Sequence, residues 1–372
     1  MKFAMIVFSS PTIQPRALNR RVFVGQGSSL LHRPLVQLFP VLSSVPFRAL
    51  AALLCCLLCA IVPEAARAEE TASRLVRFIP HWSPQAQFAG YYVAKDKGFY
   101  ARRGLEVELL RGGPDNPAGP ALAQGRAEFA SMFLSGGLEL RSRGVPAVNI
   151  GQIVQRSALM LVAKKSSGIL SPIDLDGKRV SVWPDFQAQP LAFFRRYHMN
   201  VTVIPQGYTL DLFLLGGVDA ASAMWYNEYN TLIHAGINEN ELSVFFLADY
   251  GANFPEDGLY CLESLVRADP DLVRDFVRAS LEGWLYAFDH PEEALDAVMR
   301  RVEEANLPTN RVHQRWMLAR MRDIILPEGG NIPLGRLEEQ DYELVATELF
   351  ETGVITHIAP FRSFYDPRFS AE

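Results

Sequence analysis

Six aromatic residues, Trp82, Phe133, Trp183, Phe186, Trp225 and Tyr226, stand at or just after the carboxyl ends of expected strands. Near them lie side chains able to direct hydrogen bonds: Gln85, Gln87, Ser135, Asp185, Asn227 and Glu228. Tyr91 joins the set from the helix expected to start at Pro84. Such residues can stack on a flat molecule and hydrogen-bond its edge. Stacking adds only ~0.5–1.5 kcal/mol per pair beyond area burial, whereas micromolar affinity needs about −8 kcal/mol. Closure around the ligand and directed hydrogen bonds must supply the rest. Glu228 has most to offer, because an ionised carboxylate accepts strongly from the amino group of a cationic or aminated ring. The sequence explains the same glutamate equally well as a solvated helix-start residue favoured by the helix dipole.

Reaction chemistry is harder to find. The seven histidines, at 32, 81, 198, 234, 290, 313 and 357, form no H-x-x-x-H pair and no Cys/His cluster, so no metal is expected. The chain holds no G-x-S-x-G elbow, no G-x-x-x-x-G-K-[ST] loop and no dinucleotide fingerprint. Gly112-Gly113-Pro114 reads as a turn, and Cys261 as a buried small hydrophobe. The expectation is a binding protein and not an enzyme, with no catalytic residue and no cofactor.

Composition narrows the partner. The 372 residues are 49% hydrophobic and 21% charged, ordinary globular material long enough for two lobes. Residues 49–62, ALAALLCCLLCAIV, have the length of a signal-peptide core, and Ala66-Arg67-Ala68 offers a cleavage pattern. Cleavage is expected after Ala68, with residues 1–68 a leader and the mature protein exported to the periplasm. Lipid anchoring at Cys59 is the weaker option, because Leu58 is bulky. Taking the leader's seven basic residues and one acidic residue from totals of 36 and 41 leaves 29 and 40, a net charge of about −11. That sign argues against a nucleic-acid partner. Three of the four cysteines fall in the leader, so the mature chain cannot form an internal disulfide.

The elements that would position these residues alternate regularly. Strands are expected at Leu75–Pro80, Leu105–Leu109, Phe129–Phe133, Val148–Val154 and Leu159–Ala163. Between the first four lie helices at Pro84–Lys97, capped by Ser83, at Ala118–Gln124 and at Gly136–Arg143. A second unit opens at Ser171-Pro172-Ile173-Asp174, with strands Arg179–Trp183, Val201–Ile204, Asp219–Met224 and Leu242–Leu247. Helices dominate after Asp269-Pro270, at Pro291, Arg311–Ile325 and Glu338–Glu351. This order implies an α/β fold of largely parallel sheets. The expected boundaries are 74–165 for the first part of lobe 1, 166–256 for lobe 2, and 257–372 for the return to lobe 1 and the C-terminal helices.

The run Trp82-x-Pro84, then Tyr91-Tyr92-Val93-Ala94-Lys95-Asp96-Lys97-Gly98-Phe99-Tyr100 and Gly104-Leu105-Glu106-Val107, resembles the opening of the NMT1/THI5-like family. The resemblance continues at Asp174-Leu175-x-Gly177-Lys178, Trp225-Tyr226-Asn227-Glu228 and Asp269-Pro270, covering about residues 74–300. It implies a two-lobed periplasmic-binding-protein fold of type II with a hinge between the lobes and a helical C-terminal extension. It also implies a monomeric receptor that takes a small solute, such as a thiamine-precursor pyrimidine, to an ABC permease. Sulfonate and nitrate receptors share the opening more loosely, so an anion is the alternative ligand. The family also contains an enzyme that builds the thiamine pyrimidine from pyridoxal phosphate and its own histidine. Here Ser131-Met132-Phe133-Leu134-Ser135-Gly136 has no histidine where that residue is expected, and the enzyme's cysteine-rich run is missing.

Overall fold

Leu105-Glu106-Val107-Glu108-Leu109 does form a strand, with Leu105 and Val107 buried and both glutamates exposed. The computed structural model in which it sits describes residues 73–327 and 332–370; the expected leader lies outside the described residues. The first run of elements is β1 (Arg74–Ile79), α1 (Ala89–Asp96), β2 (Leu105–Leu109), α2 (Ala118–Ala123), β3 (Phe129–Met132), α3 (Leu134–Ser142) and β4 (Ala147–Gln152). The second is β5 (Leu159–Lys164), β6 (Arg179–Val182), α4 (Ala188–Arg196), β7 (Thr202–Pro205), α5 (Asp211–Leu214), β8 (Ala220–Met224), α6 (Glu228–His234) and β9 (Leu242–Phe246). The chain returns through β10 (Gly258–Leu262) and ends in helices α7 (Glu263–Ala268), α8 (Pro270–Asp289), α9 (Pro291–Glu304), α10 (Arg311–Ile325), α11 (Glu339–Glu351) and α12 (Phe361–Phe364).

Two five-stranded sheets result, in the orders β2-β1-β3-β10-β4 and β7-β6-β8-β5-β9. Each has a parallel core, and each admits one antiparallel strand: β10 between β3 and β4, and β5 between β8 and β9. Those two strands are the first after each crossing between lobes. The expectation that Leu159–Ala163 belongs to the first lobe is therefore corrected. Its backbone pairs from Leu159↔Met224 to Ala163↔Ala220 in the second sheet. The sheets are mixed, and the two-lobed α/β architecture stands.

The helix expected from Pro84, with Ser83 as cap, begins later. Gln85 is extended, a 3₁₀ turn covers Ala86–Phe88, and regular helix starts at Ala89. The Ala86 N–H donates to Gln314 Oε1 of α10 (2.6 Å), so a distant side chain takes the place of a local cap. Gly98 ends the segment at φ +71°, the left-handed conformation that glycine tolerates.

The first sheet is held from behind by α8, whose start is as expected: Pro270 opens it and Asp269 accepts the Leu272 N–H (3.0 Å). Phe276 of α8 stacks on Phe129 of β3 with ring centroids 3.9 Å apart. The axes of α1 and α8 approach closely because glycines meet: a Cβ on Gly283 would lie 2.1 Å from the Gly90 carbonyl, and one on Gly90 would lie 2.4 Å from Trp284. Past Thr352 the chain adds the short helix α12, and Tyr365 docks beside Asn149 of β4 and covers that sheet edge.

Overpacking this crossing moves α1, which directly follows the turn that carries Gln87 and Phe88. Gly283→Val is expected to lower unfolding free energy by at least the ~1–3 kcal/mol typical of overpacked cores. Urea denaturation measures it; a change within about 0.5 kcal/mol, the surface-substitution range, would show that the helices are not in contact there.

Candidate functional site

The carboxyl ends of parallel strands from both sheets converge on one cleft, as open α/β sheets generally arrange. β1 delivers His81 and Trp82, β3 Phe133, β6 Trp183 to Phe186, β7 Gln206 to Tyr208, and β8 Met224, Tyr226, Asn227 and Glu228. The cavity measures about 320 Å³. A wider mouth of about 590 Å³ adjoins it, sharing Trp82, Gln85, Tyr208 and Asn227.

Rings from the two lobes face one another. Phe133 lies 5.0 Å from Phe186, and Trp82 lies 6.3 Å from Phe186 and 6.4 Å from Tyr208, centroid to centroid. The Trp183 indole N–H donates to the Gly207 carbonyl (3.2 Å), which fixes that ring against the second-lobe wall.

The polar floor is built on two hinge residues, Glu256 and Asp257, both almost wholly buried. Asp257 turns to the first lobe: Oδ2 accepts from Gln87 Nε2 (2.9 Å), and Oδ1 lies 2.8 Å from His81 Nδ1. Gln87 in turn accepts from Gln85. Glu256 turns to the second lobe: Oε1 accepts from the Ala158 N–H and the Ser157 hydroxyl, and Oε2 from the Tyr226 hydroxyl (3.2 Å). Burial, and then the Asp257 charge, push Glu256 up to about 8. Glu228 accepts the Met224 N–H at Oε2 (3.0 Å) and Asn227 Nδ2–H at Oε1 (2.7 Å). Burial outweighs those bonds and pushes Glu228 up to about 7.

Of the residues singled out by sequence, Trp82, Gln85, Gln87, Phe133, Trp183, Asp185, Phe186, Tyr226, Asn227 and Glu228 line this cleft. Tyr91 does not. It is fully buried between Phe78 (4.6 Å) and Trp284 (5.7 Å), because its face of α1 meets α8. Ser135 is also absent from the wall: the chain turns helical at Leu134, so the strand alternation that exposes Phe133 ends before it. Trp225 packs edge-on to Phe246 (5.5 Å) and under Arg320, outside the lining. Sequence reasoning missed His81, Gln206, Tyr208, Met224 and the hinge pair. The signal for the pair was two consecutive acids in the return segment Phe254-Pro255-Glu256-Asp257-Gly258.

Charge is lopsided. Asp185 and Glu228 line the cleft and Glu256 and Asp257 lie behind it, while no described Lys or Arg lines either the cleft or its mouth. Among the described residues no group of three or more His, Cys, Asp or Glu is placed to hold a metal. No described helix is long and apolar enough to cross a membrane.

Comparison with known proteins identifies the family and the fold. The profile of the family described as NMT1/THI5 like matches residues 85–294. A formylaminopyrimidine-binding protein of Halalkalibacterium halodurans is 26% identical over 314 residues, 82% of this chain and 93% of the relative. The riboflavin-binding protein RibY of Chloroflexus aurantiacus is 30% identical over 259 residues, 67% of this chain and 73% of the relative. The periplasmic aliphatic sulphonate binding protein SsuA from Escherichia coli shares the fold, with a TM-score of 0.62 and 15% identity over 78% of this chain and 91% of that one.

The raised Glu256 gives the fold a pH signature. Its folded value lies above the ordinary glutamate value of 4.5, so the folded state holds the proton more tightly than the unfolded chain. Its contribution to stability is complete below 4.5 and is lost as pH rises through about 8. Glu256→Gln is therefore expected to gain stability relative to the parent as pH is raised from 5 to about 8, read from urea midpoints at each pH. A difference that stays flat across that window would place Glu256 in a solvated environment.

Proposed function

The chain belongs to the NMT1/THI5-like family, and from that premise we propose that it is the extracytoplasmic substrate-binding component of an ABC importer. Its ligand, in this reading, is a small flat heterocycle bearing an amino group, of the thiamine-precursor pyrimidine kind. The relative named as a formylaminopyrimidine-binding protein supports that class. The observation that carries it is the Glu228 carboxylate, half-buried just past the end of β8 between aromatic walls, with no described cationic side chain on the lining.

The mechanism follows from the hinge. An open form exposes both walls. A ring that stacks on Trp82 and Phe133 of one lobe and reaches Glu228 of the other binds the closed form more tightly, and that differential affinity drives closure. A permease then reads the closed shape. At neutral pH Glu228 is poised between protonation states, and a ring amine donating to it favours the ionised form. An anionic sulfonate is disfavoured in this cleft, because Glu228 already occupies the start of α6 and takes the Met224 N–H. A wider flavin-like ring is the second reading, favoured by the mouth of about 590 Å³ that continues the cleft. The reading also includes a cleaved leader, a periplasmic location, a monomeric state and binding without turnover.

Two measurements test it. By calorimetry, Glu228→Ala is expected to weaken an aminopyrimidine about tenfold or more, the scale of a lost charge-assisted hydrogen bond. Affinity of the parent is expected to rise with pH through about 7, and Glu228→Gln to abolish that rise. Equal affinities in parent and Ala variant would remove Glu228 from the site. Ligand consumed during incubation would replace the receptor with an enzyme.

A further inference from the structure

Helix α10 touches both lobes, and its second-lobe contacts fall on the segment that ends in Asn227 and Glu228. On the first-lobe side Gln314 holds the Ala86 N–H, as described above. Toward the second lobe, the Trp316 indole N–H donates to the Trp225 carbonyl (3.1 Å). The Arg320 guanidinium lies 4.7 Å from both the Trp225 and the Trp316 rings, joining them by cation–π contact. One turn earlier, His313 Nε2 lies 2.8 Å from Asn227 Oδ1, and His313 Nδ1 lies 3.0 Å from Asn230 Nδ2.

The chemistry of this chain of contacts fixes each proton. An ionised Glu228 can only accept, so Asn227 must present Nδ2–H to it and turn Oδ1 outward. Asn227 Oδ1 then requires a donor, which makes Nε2 the protonated nitrogen of His313. A neutral ring leaves Nδ1 to accept from Asn230 Nδ2–H. Burial, and then the nearby His234, hold His313 below the usual histidine value and favour that neutral ring.

We infer that α10 fastens the second-lobe end of the cleft to the first lobe, and that His313 is the positioning residue which orients the Asn227 amide and, through it, the Glu228 carboxylate toward the ligand. The inference rests on the binding function proposed above. It goes beyond it by assigning ligand-edge recognition to a side chain on the C-terminal helices. A histidine that served packing alone would affect all ligands of the cleft alike. One that orients the carboxylate affects the ring amine selectively.

The test uses the mature protein and two probes, 4-amino-5-hydroxymethyl-2-methylpyrimidine and its analogue lacking the ring amine. In His313→Leu, calorimetry is expected to show about tenfold weaker binding of the amino compound and less than about twofold change for the analogue. His313→Gln is expected to recover most of the loss, because its side-chain amide N–H can replace Nε2–H toward Asn227. Equal losses for both probes, or no loss, would overturn the positioning role while leaving the binding function intact. Failure of the parent to bind either probe would count against the pyrimidine reading instead. Side-chain ¹⁵N NMR of His313 decides the inference independently of any ligand. A fixed Nε2–H tautomer is expected, and a ring averaging between tautomers, or protonated on Nδ1 alone, would overturn it.

Discussion

The cleft depends on two adjacent buried carboxylates at the place where the chain crosses back between lobes. Glu256 and Asp257 are consecutive, yet each serves a different half of the molecule. Glu256 gathers the Ala158 N–H, the Ser157 hydroxyl and the Tyr226 hydroxyl of the second lobe; Asp257 gathers Gln87 and His81 of the first. Backbone bonds reinforce the crossing, since Ile153 and Val154 N–H groups both donate to the Asp257 carbonyl and Glu256 N–H to that of Val154. Burying two acids side by side is costly unless their partners compensate: Glu256 accepts hydrogen bonds at both oxygens, while Asp257 accepts one at Oδ2 and has His81 Nδ1 2.8 Å from Oδ1. That demand ties the orientation of Tyr226 in one wall to the orientation of Gln87 in the other.

Around this crossing, rigid packing sets where the aromatic rings stand. The close contact between Gly90 and Gly283 draws α1 against α8, and the Phe129–Phe276 stack fixes β3 on the same helix. His81 and Trp82 leave the end of β1 and Phe133 the end of β3, so their positions are set by a core they do not belong to. In the second lobe the ends of β6, β7 and β8 do the same for Trp183, Tyr208 and Tyr226. A cleft built on strand ends keeps its geometry within each lobe.

The charge pattern then favours one class of ligand over another. The wall is aromatic and its charged groups are acidic, in a chain that is itself acidic once the expected leader is set aside. A cation or an amine-bearing ring gains from that field, and a sulfonate loses. The likeness to the sulphonate-binding protein is therefore one of architecture, whose sheets and hinge can carry different chemistry at the same strand ends.

What the sequence determined by itself was whatever short-range forces control. Strand and helix order, the Asp269-Pro270 helix start, the Gly98 cap and the presence of aromatic residues at strand ends are all written in spacings of a few residues. Family membership was legible for the same reason, in the run from Trp82 to Val107. Tertiary structure alone decided which faces meet. The spacing of Phe88, Tyr91 and Tyr92 marks a helix but not the side that α8 covers, so Tyr91 became core and not wall. The strand Leu159–Lys164 reads the same in either sheet, and only its pairing with β8 and β9 assigns it. His313 stands 86 residues from Asn227, and Asp257 stands 170 from Gln87. Hydrogen bonds between side chains that far apart leave no periodicity in the chain, because they exist only after folding has brought the two ends of each bond together.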